Sequence, residues 1–215
     1  MSEGSQVGMD RKRSPAADRP KAADRIQTAA KDLFYRQGIR ATGIEEVCRA
    51  AEATKMSLYR AYPSKDALVA AILCQDAAAY DAWFDSATAH AATPAAKLGA
   101  AVEAFAGKLE SPEYHGCPLL LAQAEFPDPE HPTHRLVAGH KTRMREAFAT
   151  LASAAGVERP DLLGDTLAVL IDGAWSTVPY MGGKRAGEVL RRTAEVVLRD
   201  ALPNSASEVA LGGEP

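Results

Sequence analysis

Residues 42–65, TGIEEVCRAAEATKMSLYRAYPSK, constrain the fold most strongly, because they read as two short helices joined by a tight turn. Thr42 and Glu45 have the spacing of a capping box, which would open the first of these helices. Thr54 is a favourable N-cap for the second helix, which we expect to span residues 55–61. The stretch therefore predicts a helix-turn-helix, in which the second helix is held rigidly away from the rest of the molecule.

The rest of the chain also has a helical pattern. Apolar residues recur at spacings of three and four, and no stretch alternates between apolar and polar residues as a half-buried strand would. We therefore predict an all-α fold of about nine helices. Apart from the helix-turn-helix, the helices are expected at about 24–37, 65–89, 94–109, 118–125, 134–154, 161–177 and 185–201.

Charge is distributed unevenly along the chain. Residues 1–65 carry 13 Lys and Arg against 8 Asp and Glu, a net charge of +5, and the remainder carries −8, for a total of −3. A basic segment favours contact with a polyanion, and chance segregation of solvated charges is the alternative. We predict four parts: a disordered basic arm (1–20), a helix-turn-helix head (21–66), a helical body (67–202) and a disordered tail (203–215).

Two features predict a cytoplasmic protein. Three cysteines without paired spacing favour reduced thiols, and no run is apolar over the length that a membrane span needs.

The second helix of the pair carries side chains suited to DNA. Lys55 and Arg60 supply positive charge, and tyrosine hydroxyls can reach phosphate oxygens. Lys65 lies in the first turn of the next helix, where free N–H groups attract anions. The predicted DNA-binding residues are Thr42, Thr54, Lys55, Met56, Ser57, Tyr59, Arg60, Tyr62 and Lys65.

Residues 25–68, RIQTAAKDLFYRQGIRATGIEEVCRAAEATKMSLYRAYPSKDAL, resemble the DNA-binding domain of the TetR family of bacterial transcriptional regulators, and LYRAYPSKDAL is the most specific part. The resemblance implies a homodimer that binds a palindromic double-stranded operator, usually as a repressor that a small-molecule effector releases. Position by position, it implies phosphate contacts from Thr42, Lys55, Tyr59, Tyr62 and Lys65, and base contacts from Met56, Ser57 and Arg60.

The chain departs from the family pattern at two positions. The turn of the family usually reads Ala-Gly-Val-Ser, whereas here Glu52 stands at the Gly position. Glu with a positive φ would cost roughly 1–2 kcal/mol if the turn geometry is kept. Met56 replaces a residue that is usually small, which would either add a contact to a thymine methyl group or change the docking.

The body resembles the family's ligand-binding and dimerisation domain in layout, and residues 116–141, GCPLLLAQAEFPDPEHPTHRLVAGHK, look like one subgroup. An effector site needs an apolar cavity with a few polar groups. Asp172 lies in an otherwise apolar helix, so we expect it to be paired across helices or across a dimer rather than to contact an effector. Candidate lining residues are Tyr80, Trp83, Phe84, Phe105, Leu121, Met144, Phe148, Asp172 and Trp175, although core packing is the better reading for each apolar or aromatic one taken alone.

The last two helices are apolar over wide arcs. Packing on a symmetry copy would bury them in a four-helix bundle dimer and set two recognition helices ~34–36 Å apart, whereas a monomer core is the alternative. The predicted interface residues are Leu163, Leu167, Leu170, Ala174, Leu190, Ala194, Val197 and Leu198.

No motif predicts a cofactor, a metal or catalysis. The spacing of His131, His134 and His140, and of His115 with Cys117, matches no tight zinc pattern, and no nucleophile with a nearby base is visible. Three readings compete with an effector-released repressor. They are a small-molecule binding protein with a degenerate head, an activator, and a helical enzyme of unrecognised type.

Overall fold

The computed structural model describes residues 20–112, 114 and 116–203, so most of the predicted arm and tail lies outside the described residues. Within the described residues every regular element is an α-helix, which confirms the predicted fold class. The nine helices are α1 (Ala22–Gln37), α2 (Ile44–Ala50), α3 (Lys55–Ala61), α4 (Lys65–Thr88), α5 (Pro94–Glu110), α6 (Pro118–Ala124), α7 (Pro132–Ala154), α8 (Pro160–Met181) and α9 (Gly183–Ala201).

Most helix ends follow from capping residues that the sequence displays. Thr54, Ser64 and Thr93 each accept a backbone N–H with the side-chain oxygen at the start of α3, α4 and α5. The expected capping box of Thr42 and Glu45 does not form, because Gly43 is the N-cap of α2 and the Thr42 hydroxyl donates to the Gly38 carbonyl at 2.7 Å instead.

The end of α8 also differs from the prediction. The helix runs to Met181, beyond the expected end at residue 177, with Pro179 inside its last turns. A proline inside a helix lacks one backbone N–H and so removes one hydrogen bond of the helix. The helix nevertheless continues to Gly182, which ends it with a φ of 80°.

The head is built around a small apolar core. Ile26 and Ala30 of α1, Val47 of α2 and Leu58 of α3 are completely buried. A helix of seven residues such as α3 is too short to be stable alone. Burial of Leu58, worth about 1.5–3 kcal/mol, therefore holds α3 in place.

The core of the head continues into the body. Helix α4 crosses the predicted boundary at residue 66 without a break, and one apolar cluster includes buried residues from both sides of it. In the body, α5, α7, α8 and α9 pack together around residues such as Phe105, Phe148 and Leu167. At Gly164 the backbones come close, since a Cβ there would lie 2.7 Å from the Arg145 carbonyl oxygen. The four-part division of the chain stays a prediction.

None of the described helices has the combination of length and apolarity that crossing a membrane would require.

The turn between α2 and α3 keeps a left-handed residue although that residue is not glycine. Glu52 has a φ of 48°. The Ala53 N–H donates to the Cys48 carbonyl at 2.9 Å and the Glu52 N–H to the Arg49 carbonyl at 3.2 Å, the pattern of a Schellman motif. Arg25 of α1 donates to the carbonyls of Ala51 at 3.0 Å and Glu52 at 3.1 Å. These bonds hold the strained residue in place.

The turn generates the first prediction. Replacing Glu52 by Gly removes the steric cost of positive φ, whereas Glu52→Ala keeps a Cβ and therefore keeps that cost. We expect the Gly variant to exceed the Ala variant in free energy of unfolding by about 1 kcal/mol, measured by urea denaturation. Equal stability of the two variants would contradict this interpretation of the turn.

Candidate functional site

One face of α3 is open to solvent. Lys55, Met56, Tyr59 and Arg60 are exposed on this short helix, with Met56 at 72% and Tyr59 at 49% exposure, while Leu58 is buried behind them. Single exposed apolar side chains are common, whereas adjacent ones rimmed by charged groups are typical of an interaction surface. The four side chains form a compact surface of mixed charge and apolar character, which we call the α3 face.

The N-terminus of α3 is fixed by hydrogen bonds. The Ser57 N–H donates to the Thr54 hydroxyl at 3.1 Å, and the two hydroxyl groups lie 3.0 Å apart. Lys55 pairs with Glu45 of α2 at 2.5 Å. This hydrogen bond raises the pKa of Lys55 and lowers the pKa of Glu45. Both groups are exposed, so a phosphate could exchange with the Glu45 carboxylate as the partner of the ammonium group.

The side chains of three predicted phosphate ligands have partners inside the head. Thr42 is completely buried, so its hydroxyl presents no surface to DNA in this conformation. The Lys65 ammonium donates to the Thr42 carbonyl at 2.7 Å, and burial lowers the pKa of Lys65. The Tyr62 hydroxyl lies 3.1 Å from the Gln27 side-chain oxygen, and burial raises the pKa of Tyr62. These groups tie α4 to α2, and α3 to α1.

A cavity of about 660 Å³, partly open to solvent, lies where α1 and α4 meet α6 and the segment before it. Tyr80, Leu121 and Trp175, three of the predicted effector residues, line it. Helix periodicity could not single out the lining residues from α1, Phe34 and Tyr35, because it marks a core face without distinguishing a hole from packing. The remaining predicted residues do not line it: Trp83, Phe84, Phe105, Met144, Phe148 and Asp172.

Those remaining residues lie outside the lining, in the core of the body or in an ion pair. Phe105 and Phe148 are completely buried, and Trp83 packs edge-on against Phe105 with ring centroids 4.9 Å apart. Asp172 of α8 pairs with Lys141 of α7 at 2.5 Å, which confirms the expected pairing across helices.

Four buried polar atoms around the cavity have no hydrogen-bond partner among the described residues. They are the hydroxyl oxygens of Tyr80 and Tyr114, Nδ1 of His140 and Nε1 of Trp175. Buried polar groups without partners are rare and cost about 1–3 kcal/mol each. Burial raises the pKa of both tyrosines and lowers the pKa of His140, so all three are neutral near pH 7. Sequence reasoning missed Tyr114 and weighed His140 only as a metal ligand.

Glu125 connects the end of α6 to the head. Its two carboxylate oxygens accept the backbone N–H groups of Ile39 and Arg40, each at 2.7 Å. Gly38 precedes these residues with a φ of 92°, and a Cβ there would lie 3.2 Å from the same carboxylate. The Tyr35 hydroxyl also donates to the Gly116 carbonyl at 2.8 Å. Both contacts cross from the head to the part of the body that lines the cavity.

Apart from Leu121 of α6, which lines the cavity, the exposed large apolar residues in the described part of the body lie on α8 and α9. Val169 is 71% exposed and Val196 is 59% exposed, and a Cβ at Gly173 would meet nothing within 4 Å. We call this surface the α8–α9 face, and its exposed large apolar residues are Leu162, Val169, Tyr180, Met181, Val189 and Val196.

Most of the predicted dimer residues lie on the opposite side of these helices. Five are buried within the chain's own core: Leu163, Leu167, Leu190, Ala194 and Leu198. Leu170, Ala174 and Val197 are partly buried against the same core. The prediction chose the core-facing residues because both helices have two apolar faces. Residue spacing alone does not tell which of the two faces packs against the chain's own core.

Within the described part of the chain, no three His, Cys, Asp or Glu residues are grouped closely enough to hold a metal ion. His131 stacks on Phe126 with ring centroids 3.9 Å apart, and His134 Nε2 lies 2.7 Å from the Phe126 carbonyl oxygen. These two histidines therefore organise the turn before α7. His115 lies outside the described residues.

Comparisons with known proteins agree with this arrangement. Residues 26–72 match the model of a family described as bacterial regulatory proteins, tetR family. A TetR-family transcriptional regulator from Streptomyces coelicolor is 30% identical, with a TM-score of 0.80 over 84% of this chain and 95% of that one. A TetR-type regulator from Streptomyces avermitilis is 29% identical, with a TM-score of 0.69 over 84% and 97%. The HTH-type transcriptional regulator YjdC of Escherichia coli is 25% identical over 80% of this chain and 91% of its own.

Neutral His140 makes the stability of the fold depend on pH. Burial holds its pKa below the ordinary value of about 6.5, so the unfolded chain binds the proton first as pH falls. The contribution is present above that ordinary value and is lost on acidification. We expect wild type to lose more unfolding free energy than His140→Leu between pH 7.5 and 5.5, measured by urea denaturation. The matched variant His90→Leu, at an exposed position, should behave like wild type; equal losses in the His140 variant would contradict the prediction.

Proposed function

Because the chain belongs to the TetR family of bacterial regulatory proteins, it is a DNA-binding transcriptional regulator, and we propose that it acts as a homodimeric repressor released from a palindromic operator by a small molecule. One feature supports this above the others. The cavity that would hold the small molecule is lined jointly by α1 of the head and α6 of the body, so its occupancy bears directly on the head. Family members of this kind are DNA-binding proteins rather than enzymes, and we propose no catalytic activity.

The α3 face is the part that enters the major groove in this proposal. Met56 and Arg60 would face base edges with Ser57, and each good base contact contributes about 1–3 kcal/mol of discrimination. Lys55 and Tyr59 would contact phosphates, which adds affinity that weakens with salt. Lys65 and Tyr62 would act mainly by holding α3 at the correct angle, since their polar atoms already have partners in the head.

The α8–α9 face is the proposed dimer interface. Exposed apolar residues seven apart, Leu162 and Val169 on α8 and Val189 and Val196 on α9, lie on one side of their helices. The open space at Gly173 allows a second helix to approach closely. Twofold packing of this face forms a four-helix bundle and sets the two α3 helices for successive major grooves.

Release follows from the connection at Glu125. A molecule that enters the cavity contacts α6, and movement of its end carries the carboxylate that holds Ile39 and Arg40. The head then changes its angle, and the two α3 helices lose the operator spacing. Couplings of this kind amount to ~1–3 kcal/mol.

Two alternatives differ in their support. The left-handed φ of Glu52 and its Schellman bonds preserve the turn, so nothing in the head favours a degenerate helix-turn-helix. An activator would use the same surfaces as a repressor.

We also propose a cytoplasmic location, in agreement with three free cysteines, of which Cys48 and Cys117 are buried.

DNA recognition generates a prediction. On a duplex selected from a random pool by the protein, Lys55→Ala with Tyr59→Ala should abolish specific binding and lower the salt slope of the residual binding by about one, because Lys55 is the one cationic phosphate ligand that is removed. Both side chains are exposed, so circular dichroism should show an intact fold. Lys184→Ala, at an exposed position in the body, is the matched control and should bind normally. Wild-type affinity in the double variant would refute the assigned roles.

The dimer generates another prediction. Val169→Glu with Val196→Glu places charges in the α8–α9 face without touching the chain's own core. Light scattering should show a monomer that retains its helical spectrum but binds operator duplex weakly. Ala138→Glu, on the exposed face of α7, is the control and should remain dimeric. A double variant that stays dimeric would move the interface elsewhere.

A further inference from the structure

The cavity has two chemically different ends. Beside α1 and α4 its wall has an apolar part, formed by Phe34, Ile39, Val69, Ile72 and Leu73, next to the paired charges of Lys31 and Asp76. At the other end lie Tyr80, Tyr114, His140 and Trp175, whose buried polar atoms have no partner in the described part of the chain. A molecule that fits both ends has an apolar portion and a hydrogen-bonding group.

The polar end is dominated by donors. The Trp175 N–H can only donate, and both tyrosine hydroxyls are held neutral and can donate. The rings form one cluster, with centroids 6.2 Å apart for Tyr114 and Trp175 and 5.7 Å apart for Tyr80 and Trp83. The hydroxyls can also accept, but the Trp175 N–H requires an acceptor, so the bound group must offer at least one acceptor atom.

The acidic side chains that line the cavity are already paired. Each acidic side chain in the lining has a partner: Asp32 pairs with Arg36 at 2.8 Å, Asp76 with Lys31, and Glu125 with two backbone N–H groups.

Among the described residues that line the cavity, Lys108 is the charged side chain without an ion-pair or hydrogen-bond partner. Its ammonium lies 4.0 Å from the centroid of the Trp83 ring and has no carboxylate partner among the residues that the structure describes. A positive charge beside a set of donors attracts an anion.

We propose that the cavity binds a small organic acid, whose carboxylate lies at Lys108, Tyr114 and Trp175 and whose apolar portion lies against α1 and α4. The proposal rests on the proposed function in treating this cavity as the effector site. The acidic groups Asp76 and Glu125 near the apolar end disfavour the reverse orientation. The positive charge of Lys108 likewise disfavours a ligand with a cationic head group at the polar end.

Three probes with one eight-carbon chain test the class: octanoate, octan-1-ol and octylamine. The only two tryptophans, Trp83 and Trp175, belong to the aromatic cluster, so intrinsic fluorescence of the full-length protein reports binding without DNA. We expect octanoate to bind at least about tenfold more tightly than octan-1-ol, as charge-assisted hydrogen bonds predict, and octylamine to bind most weakly.

Two variants test the named contacts. Lys108→Met should reduce the affinity for octanoate to that for octan-1-ol while leaving the alcohol unaffected, and Tyr114→Phe should weaken octanoate binding several-fold. Lys184→Met, away from the cavity, is the matched control and should resemble wild type. Each of three results would overturn the proposal: no binding of octanoate at millimolar concentration, equal or tighter binding of the alcohol or the amine, or an unchanged Lys108→Met variant.

A second readout separates this inference from the proposed function. The same titration is repeated with selected operator duplex, following DNA by fluorescence anisotropy. Octanoate that binds but leaves the duplex bound would uphold the ligand class and refute release by this ligand class. Failure to bind any duplex would refute the proposed function and leave the fluorescence result standing.

Discussion

The burial of Leu58 is the interaction on which the α3 face, the proposed DNA-binding surface, depends. Helix α3 has seven residues and would not persist alone in water, so its position comes from this buried side chain, from the turn before it and from the contact of Tyr62 with Gln27. That turn is held by Arg25, which donates to the carbonyls of Ala51 and Glu52. Because these contacts lie on the buried side of α3, the residues on its exposed side are not needed to position the helix. They can therefore be specialised for recognition.

The exposed large apolar side chains are confined to three parts of the surface. Nine large ones are exposed in the part of the chain that the structure describes, and each belongs to α3, the cavity or the α8–α9 face. A lone chain gains nothing from exposing them, since each forfeits the stabilisation of burial. Their confinement to three places agrees with a molecule that has three kinds of partner: a nucleic acid, a small molecule and a second copy.

Helix ends were largely predictable from sequence because local chemistry determines them. Thr54, Ser64 and Thr93 cap their helices by bonds within three residues, so the neighbouring residues suffice. The side that a helix buries was less predictable, as Leu163 and Leu190 illustrate, because that choice depends on partners far along the chain. For the same reason, the sequence did not reveal that Thr42 and Lys65 make contacts inside the head, or that a cavity lies beside Phe34.

Glu125 has a consequence for how the two ends of the molecule move. One carboxylate accepts two adjacent N–H groups, so it cannot follow a rotating head gradually; once its bonds stretch past hydrogen-bonding range, water must take over both donors. Intermediate tilts are thus the least favourable ones. In the proposed release, a small strain at α6 would therefore leave both bonds intact and a larger one would break them together, so that the head responds only above a threshold.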